Sequence, residues 1–256
     1  MVHVAIAPPN PPSADLLKRV AALLGKEIVD TRLLLAGEIP RIIASYPDAD
    51  TANSIAQRLR EAGLVAFLCG DSELRHRPAR FKARTAGSRG REVIFRDRLG
   101  EEVRVEASDV FLIIRGRIQT TTRERASTTK MKLNLPATVL TGGIPIMRRV
   151  TQKTAKDSFQ AEDFVKLYDW RSSDPRVEMF QNHIDYSSLG LELTPSAPAN
   201  FNVVVTKLRE WFPLATFDER LTAHFKMDMP VAGAEEAIDI QAKLIYLFHL
   251  AIKRRE

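Results

Sequence analysis

The chain has 256 residues, of which 45% are hydrophobic and 27% charged, which is the composition of a globular protein long enough to bury a core. Its single cysteine, Cys69, excludes an internal disulfide, and no run approaches the ~20 apolar residues that a membrane-spanning helix needs. The first residues lack the positive n-region of a secretory signal peptide. We therefore expect a cytoplasmic protein with no membrane partner.

The positive charge is concentrated in the middle of the chain. The formal net charge is +6, but residues 75–132 contain 16 lysines and arginines against 7 acidic residues, which is +9. The remaining residues therefore carry −3. This distribution predicts that a polyanion such as RNA or DNA contacts the middle segment rather than the two ends.

The first 69 residues alternate between strand and helix patterns. Ser13 is a capping residue for a helix that ends at Gly25, and the spacing of apolar residues predicts two further helices. The predicted elements, in order, are strand 2–7, helix 13–25, helix 27–36, strand 39–46, a helix from residue 48 or 50 to 63, and strand 64–69. This order predicts a small sheet covered by helices.

The same order resembles the C-terminal domain of the bacterial ribosomal stalk protein. The features that carry the resemblance are Gly25 after the first helix, Leu33-Leu34-Leu35-Ala36-Gly37 at the end of the second, Ile39-Pro40 at the start of a strand, and Ala52, Ile55, Ala56, Leu59 and Ala62-Gly63 in the third helix before Leu64. The resemblance implies an interaction module with a protein partner. The family's second helix has a lysine-rich pattern that recruits translation factors, whereas the matching turn here, Val29-Asp30-Thr31-Arg32, keeps a positive charge only at Arg32.

A basic loop follows this module and is the predicted nucleic-acid-binding segment. Arginine and lysine pair with phosphates, and an aromatic ring among them can stack on a base. The predicted contact residues are Arg75, Arg77, Arg80, Phe81, Lys82 and Arg84. The alternative interpretation is a solvated basic loop in which Phe81 packs into the core.

A second candidate site lies near a predicted strand over residues 177–184. His183 and Asp185 are two residues apart and would share a strand face, and Glu178 precedes them. A histidine oriented by a carboxylate is part of many hydrolase sites, so these are the candidate catalytic residues. The alternative is a polar strand face before a turn at Gly190. The scattered histidines and the single cysteine argue against a zinc site, and no metal site and no cofactor are predicted. A carboxylate-bound magnesium site stays an open alternative, because its ligands need no sequence pattern.

The rest of the chain predicts a β-hairpin extension and a helix-rich C-terminal half. The hairpin extension covers 91–115, and residues 119–134, rich in Thr, Lys and Arg, are predicted to be a flexible linker. Helices are expected at 161–170, 199–212, 218–225 and 234–255. The predicted domains are therefore 1–118, an α+β module, and 135–256, which is mostly helical.

These patterns predict an α+β protein that binds rather than catalyses. The leading hypothesis is a non-enzymatic cytoplasmic binding or regulatory protein that engages a macromolecular partner, with RNA or DNA contacting the basic segment 75–132. One alternative is a hydrolase or nuclease with its site around His183 and Asp185. Another is a homo-oligomeric scaffold through residues 234–255, whose helix is apolar nearly all round.

Overall fold

The computed structural model describes residues 1–9, 11–133, 147–222, 226–227 and 231–254, with the backbone alone over 120–133, 147–160, 226–227, 231–232 and 234. Small sheets and separate helices alternate along the chain, and most strand pairs are antiparallel. The fold is therefore α+β, as the sequence predicts. Among the described helices, none combines the length and the apolarity that crossing a bilayer requires.

The N-terminal module is a three-stranded sheet covered by helices. Its elements are β1 (Val2–Ala7), α1 (Ala14–Leu24), α2 (Ile28–Leu34), β2 (Arg41–Tyr46), α3 (Ala49–Glu61) and β3 (Val65–Gly70). β1 lies in the centre of the sheet and pairs antiparallel with both neighbours. The predicted order and type of all six elements are confirmed.

Local capping explains where the helices of this module begin and end. Ser13 Oγ accepts a hydrogen bond from the backbone N–H of Leu16 at 3.2 Å, and Gly25 ends α1 with φ of 61°. Glycine adopts this left-handed conformation without steric strain. Asp48 caps α3 by accepting from the backbone N–H of Thr51 at 2.8 Å. The apolar stripes of α1 and α3 then pack on one face of the sheet.

Residues 71–106 add a short helix and a three-stranded meander. α4 (Asp71–Arg75) is followed by β4 (Thr85–Arg89), β5 (Glu92–Arg96) and β6 (Glu102–Glu106), which pair antiparallel in that order. β5 and β6 confirm the predicted hairpin, and Gly100 in the turn between them has φ of 85°. The meander packs its buried residues against the core of the second half of the fold.

A larger sheet with the strand order β10-β7-β8-β9 organises the second half. β7 (Val110–Leu133) and β8 (Met147–Asp169) form a long antiparallel pair, and β9 (Val177–Phe180) pairs with β8. β10 (Thr216–Leu221) and β11 (Lys226–Met227) run parallel to β7. α5 (Ala197–Trp211) packs on one face of this sheet and α6 (Val231–Lys253) on the other.

The structure contradicts the flexible linker that the sequence predicts at residues 119–134. Residues 119–133 belong to β7 and pair one by one with β8, from Gln119 with Ala161 to Leu133 with Met147. Low apolar content indicated a linker, but threonine favours extended backbone and the partner strand supplies the hydrogen bonds.

The domain division also differs from the prediction. The expected helix 161–170 is the inner end of β8, and the expected helix 218–225 overlaps β10. These strands share one sheet with β7, so residues 135–256 are not a separate, mostly helical domain. The reason is non-local: each strand is completed by a partner from the other predicted domain, which no local pattern shows.

Candidate nucleic-acid interface

A cavity with a basic lining opens between the meander and the end of β9. Its volume is about 480 Å³, and it is lined by Lys82, Arg84, Arg98, Asn182 and His183. We call it the basic cavity. Its volume falls within the range of about 300–1,000 Å³ that is usual for ligand-binding clefts.

The backbone on both sides of Lys82 is fixed by β9. Glu178 donates its backbone N–H to the carbonyl of Phe81 at 2.9 Å, and Ala83 donates to the carbonyl of Glu178 at 2.8 Å. Residues 81–83 therefore run parallel to β9 as a short extra strand. Arg84 lies two residues after Lys82, so the two cationic residues lie on the same side of this extended segment.

Arg98 comes from the turn between β5 and β6. Asp97 Oδ1 accepts hydrogen bonds from the backbone N–H groups of Leu99 at 2.8 Å and Glu101 at 2.9 Å. The positive φ of Gly100 completes this turn. The local sequence therefore fixes the turn that presents Arg98 to the cavity.

Asn182 and His183 come from the 3₁₀ turn Gln181–His183 that follows β9. Arg84 Nε donates to the carbonyl of His183 at 3.1 Å, which ties this turn to the basic loop. The imidazole of His183 lies 5.9 Å from the ring centroid of Phe180, and Lys82 Nζ lies 5.3 Å from the same centroid. The Phe180 ring thus packs next to both Lys82 and His183, which line the cavity.

The electrostatic character of the basic cavity is positive. In the part of the chain that the structure describes, no salt bridge joins Lys82, Arg84 or Arg98 to a carboxylate. Hydrogen bonds from Ser187 hold the pKa of the neighbouring Asp185 below its usual value, and the charge of Arg84 adds to this effect. At the border of the cavity, Glu162 Oε1 accepts from the backbone N–H of Asn182 at 3.1 Å. Three cations that form no salt bridge with any described carboxylate make a site for an anion.

The structure divides the six residues of the predicted basic loop into three groups. Lys82 and Arg84 line the basic cavity. Arg75 and Arg77 are exposed but ion-paired within the chain, with Asp71 at 3.0 Å and Glu236 at 2.7 Å.

The other two residues of that loop point into the protein. Phe81 is half-buried and packs against the core beneath the meander, as the alternative interpretation expected. Arg80 is 13% exposed and forms salt bridges with Glu178 and Asp239. Three lining residues lie outside the loop. His183 was predicted for a different site, whereas Arg98 and Asn182 were not predicted. For Arg98, the available signal was a cation in a predicted hairpin turn.

Arg80 belongs to a buried ionic network of two cations and two carboxylates. Arg80 Nη1 lies 3.0 Å from Glu178 Oε1 and 2.7 Å from Asp239 Oδ1. Lys166 Nζ lies 2.8 Å and 2.5 Å from the same two oxygens. Burial opposes the ionised form of Asp239, but the hydrogen bonds and charges of Arg80 and Lys166 outweigh it and lower its pKa. The network joins the basic loop, β8, β9 and α6. Its role is therefore structural.

The structure does not bring the three candidate catalytic residues together. Glu178 is 1% exposed and belongs to the ionic network. Asp185 is exposed and caps the 3₁₀ helix Tyr186–Glu192 by accepting from the backbone N–H of Ser187 at 3.0 Å. His183 lines the basic cavity. Because residues 181–183 form a 3₁₀ turn instead of continuing β9, His183 and Asp185 do not share a strand face.

Neither a metal site nor a reactive thiol is present in the described part of the chain. No three histidine, cysteine, aspartate or glutamate side chains are grouped there in a way that could hold a metal ion. Cys69 is buried, and burial raises the pKa of its thiol to about 12, with a further contribution from Glu73. A thiol of this kind is unreactive at neutral pH.

Two surfaces bear on protein partners. The apolar residues of α6, among them Leu244 and Phe248, are buried against the chain's own sheets. On α2, the helix that the stalk-domain resemblance connects with partner binding, Ile28, Val29 and Leu33 are exposed. The protein partner of the N-terminal module therefore stays a prediction from the sequence.

No family model, curated protein or solved structure matches this chain. The geometry of the basic cavity is therefore the basis for assigning a function.

Proposed function

We propose that this protein binds nucleic acid without chemical turnover and that the basic cavity holds the phosphodiester backbone. One observation carries the proposal: Lys82, Arg84 and Arg98 line one cavity of about 480 Å³ and have no carboxylate partner within salt-bridge distance among the described residues. Arginine and lysine in such surroundings are strong phosphate ligands. Phosphate contacts of this kind dominate the affinity of proteins for nucleic acid.

Two further features suit a nucleic-acid ligand better than an isolated small anion. The imidazole of His183 provides a ring on which a base can stack, and the side-chain amide of Asn182 can hydrogen-bond a base edge. Both residues lie on the 3₁₀ turn that Arg84 holds in place. The cavity thus combines phosphate contacts with contacts to a base.

The same lining favours binding over hydrolysis. General acid–base catalysis needs a base that is oriented toward its proton, commonly by a carboxylate. No hydrogen bond joins the imidazole of His183 to a carboxylate in the described ranges, and the cavity lining contains no serine, threonine or cysteine nucleophile. A nuclease site around His183 and Asp185 is therefore the weaker proposal.

The test is fluorescence anisotropy with a labelled single-stranded RNA and a labelled duplex DNA, between about 50 and 200 mM salt. The test variant is Arg84→Ala with Arg98→Ala. The matched control is Arg75→Ala with Arg77→Ala, which removes the same charge from exposed arginines that are ion-paired within the chain. If both cavity arginines contact phosphates, the slope of log K against log salt falls by about 1.8 for duplex and about 1.4 for single strands.

The control variant should change these slopes by less than half as much. Equal slopes for the two variants would refute the assignment of phosphate binding to the cavity. The bound samples are also analysed for strand cleavage. If the wild type cleaves the strands and His183→Ala abolishes this cleavage, the protein is a nuclease and the binding proposal is wrong.

A further inference from the structure

The outer parts of β7 and β8 form a two-stranded ribbon, which we define as residues 121–133 and 147–159. The two strands pair in unbroken antiparallel register along this whole length. β11 pairs with Gln119 and Thr120, and beyond that point no other described strand pairs with either strand of the ribbon. The ribbon therefore extends past the sheet that anchors it.

The ribbon carries a charge equal to that of the whole protein. Residues 121–159 contain eight lysines and arginines and two acidic residues, which gives +6, and the formal net charge of the chain is also +6. The rest of the chain is neutral as a whole. Residues 75–120 carry a further +6 and the remaining residues −6, so the ribbon is one of two strongly basic segments, and it is the one that projects.

The register leaves most of these cations without an acidic partner across the ribbon. Both acids lie opposite or next to cations near the base, where Arg123 pairs with Asp157 and Glu124 with Lys156. The six remaining cationic residues, which face neutral or cationic positions, are Arg125, Lys130, Lys132, Arg148, Arg149 and Lys153. The outer part of the ribbon is therefore uniformly basic.

The sequence of the ribbon is not that of an element that packs on a core. Alternate residues of a strand belong to opposite faces, and each face of the ribbon receives four of the eight cationic residues. The apolar residues of the ribbon are Ala126, Met131, Leu133, Met147, Val150, Ala155 and Phe159, and the face with most of them also carries Arg123, Arg125, Arg149 and Lys153. A ribbon that covers a core has one apolar face, which this one lacks.

We infer that the ribbon enters the major groove of double-stranded DNA. This inference rests on the proposed nucleic-acid binding and names the class of nucleic acid. The major groove of B-form DNA, about 12 Å wide, admits a two-stranded β-ribbon. At about 3.4 Å per residue, 13 residues span about 44 Å, which is longer than the ~34 Å of one helical turn. The lysines and arginines then lie between the two phosphate backbones.

The same geometry excludes double-stranded RNA from this mode of binding. The major groove of an A-form helix is deep and too narrow for protein side chains to read. The ribbon therefore gives B-form DNA an advantage over an RNA duplex of the same sequence. The basic cavity binds a single phosphodiester strand and gives no such preference.

The first experiment compares a DNA duplex with an RNA duplex of matched sequence. The ribbon variant is Lys130→Gln, Lys132→Gln, Arg148→Gln and Arg149→Gln. The control variant is Lys18→Gln, Arg19→Gln, Lys26→Gln and Arg58→Gln, which removes four exposed cations from the N-terminal module. Wild-type protein should prefer DNA at least tenfold. The ribbon variant should lose that preference, with a decrease of up to about 3.6 in the salt slope for DNA.

A second variant removes the ribbon altogether. Thr120 and Gln160 are directly paired, so an Asn-Gly turn between them closes a two-residue hairpin in place of residues 121–159. This variant should bind single-stranded RNA as the wild type does and lose the preference for duplex DNA. Circular dichroism and thermal unfolding of the variant report whether the rest of the protein is folded.

Three results would overturn the inference. One is equal binding of the two duplexes by the wild type. Another is an unchanged DNA affinity of the ribbon variant. If that variant also self-associates, the charges serve to protect exposed strand edges. The third is an equal loss of DNA and RNA binding. If instead the ribbon variant behaves as expected while Arg84→Ala with Arg98→Ala has no effect, the cavity proposal fails and the ribbon inference stands.

Discussion

Replacing Lys166 by methionine tests the buried ionic network, which holds four segments of the chain together. Methionine keeps the length of the side chain but removes its charge. Lys166 is 3% exposed and Glu178 1%, so water cannot replace the lost ammonium group. Arg80 would remain as the single cation of the network beside two carboxylates. Breaking a buried pair in this way costs about 3–5 kcal/mol.

The assays are urea unfolding and thermal unfolding of the wild type, Lys166→Met, Glu178→Gln and the double variant. In a chain of this size each 1 kcal/mol lowers Tm by about 2–4 °C, so Lys166→Met alone should lower Tm by roughly 6–20 °C. The double variant removes one charge of each sign and leaves Arg80 paired with Asp239 at 2.7 Å. It should therefore be more stable than Lys166→Met. A double variant that loses the sum of the two single losses would refute the network argument.

Two further predictions concern stability. Gly116→Ala should destabilise the protein by about 1–3 kcal/mol in urea unfolding, because a Cβ there would lie 2.3 Å from the Phe164 ring and 2.8 Å from Leu221 Cβ. The control is Gly87→Ala, where nothing lies within 4 Å of the added Cβ, and it should be neutral or stabilising. Equal losses of stability in the two variants would contradict the packing argument. Burial opposes ionisation of Asp218, but the hydrogen bond from His249 at 2.7 Å, with other bonds and charges, lowers its pKa. Its stabilising effect is therefore present above about pH 4 and is lost as pH falls through the folded-state pKa. Asp218→Asn should make the free energy of unfolding fall less steeply with decreasing pH in the acid range. Equal steepness for wild type and variant would count against this.

The sequence predicts the N-terminal module well because its signals are local. Ser13, Gly25 and Asp48 act on backbone groups within four residues, and the apolar stripes between them have one helical period. The order of six elements follows from these signals. The same reasoning fails at residues 161–170, where Phe164, Leu167 and Tyr168 fit a helical stripe. In the strand both faces of that segment are buried, by α5 on one side and α6 on the other, so no alternation of polar and apolar residues marks it.

The candidate site is predictable only in part for a related reason. A run of cations indicated residues 75–84 as a basic loop, and Lys82 and Arg84 do line the cavity. The burial of Arg80 depends on Glu178 and Asp239, which are 98 and 159 residues away. Charge counting along the sequence cannot separate a cation that binds a ligand from one that neutralises a distant acid.

The position of α6 has a consequence for how the chain folds as it is synthesised. One face of the N-terminal sheet, with Ala5, Phe67 and Cys69, is covered by Leu244 and Phe248 of α6, and Lys243 Nζ hydrogen-bonds the carbonyls of Glu73 and His76. At 5–20 residues per second, the roughly 160 residues between β3 and α6 take about 8–30 s to translate. During that interval the nascent module exposes an apolar sheet face, a surface that chaperones bind.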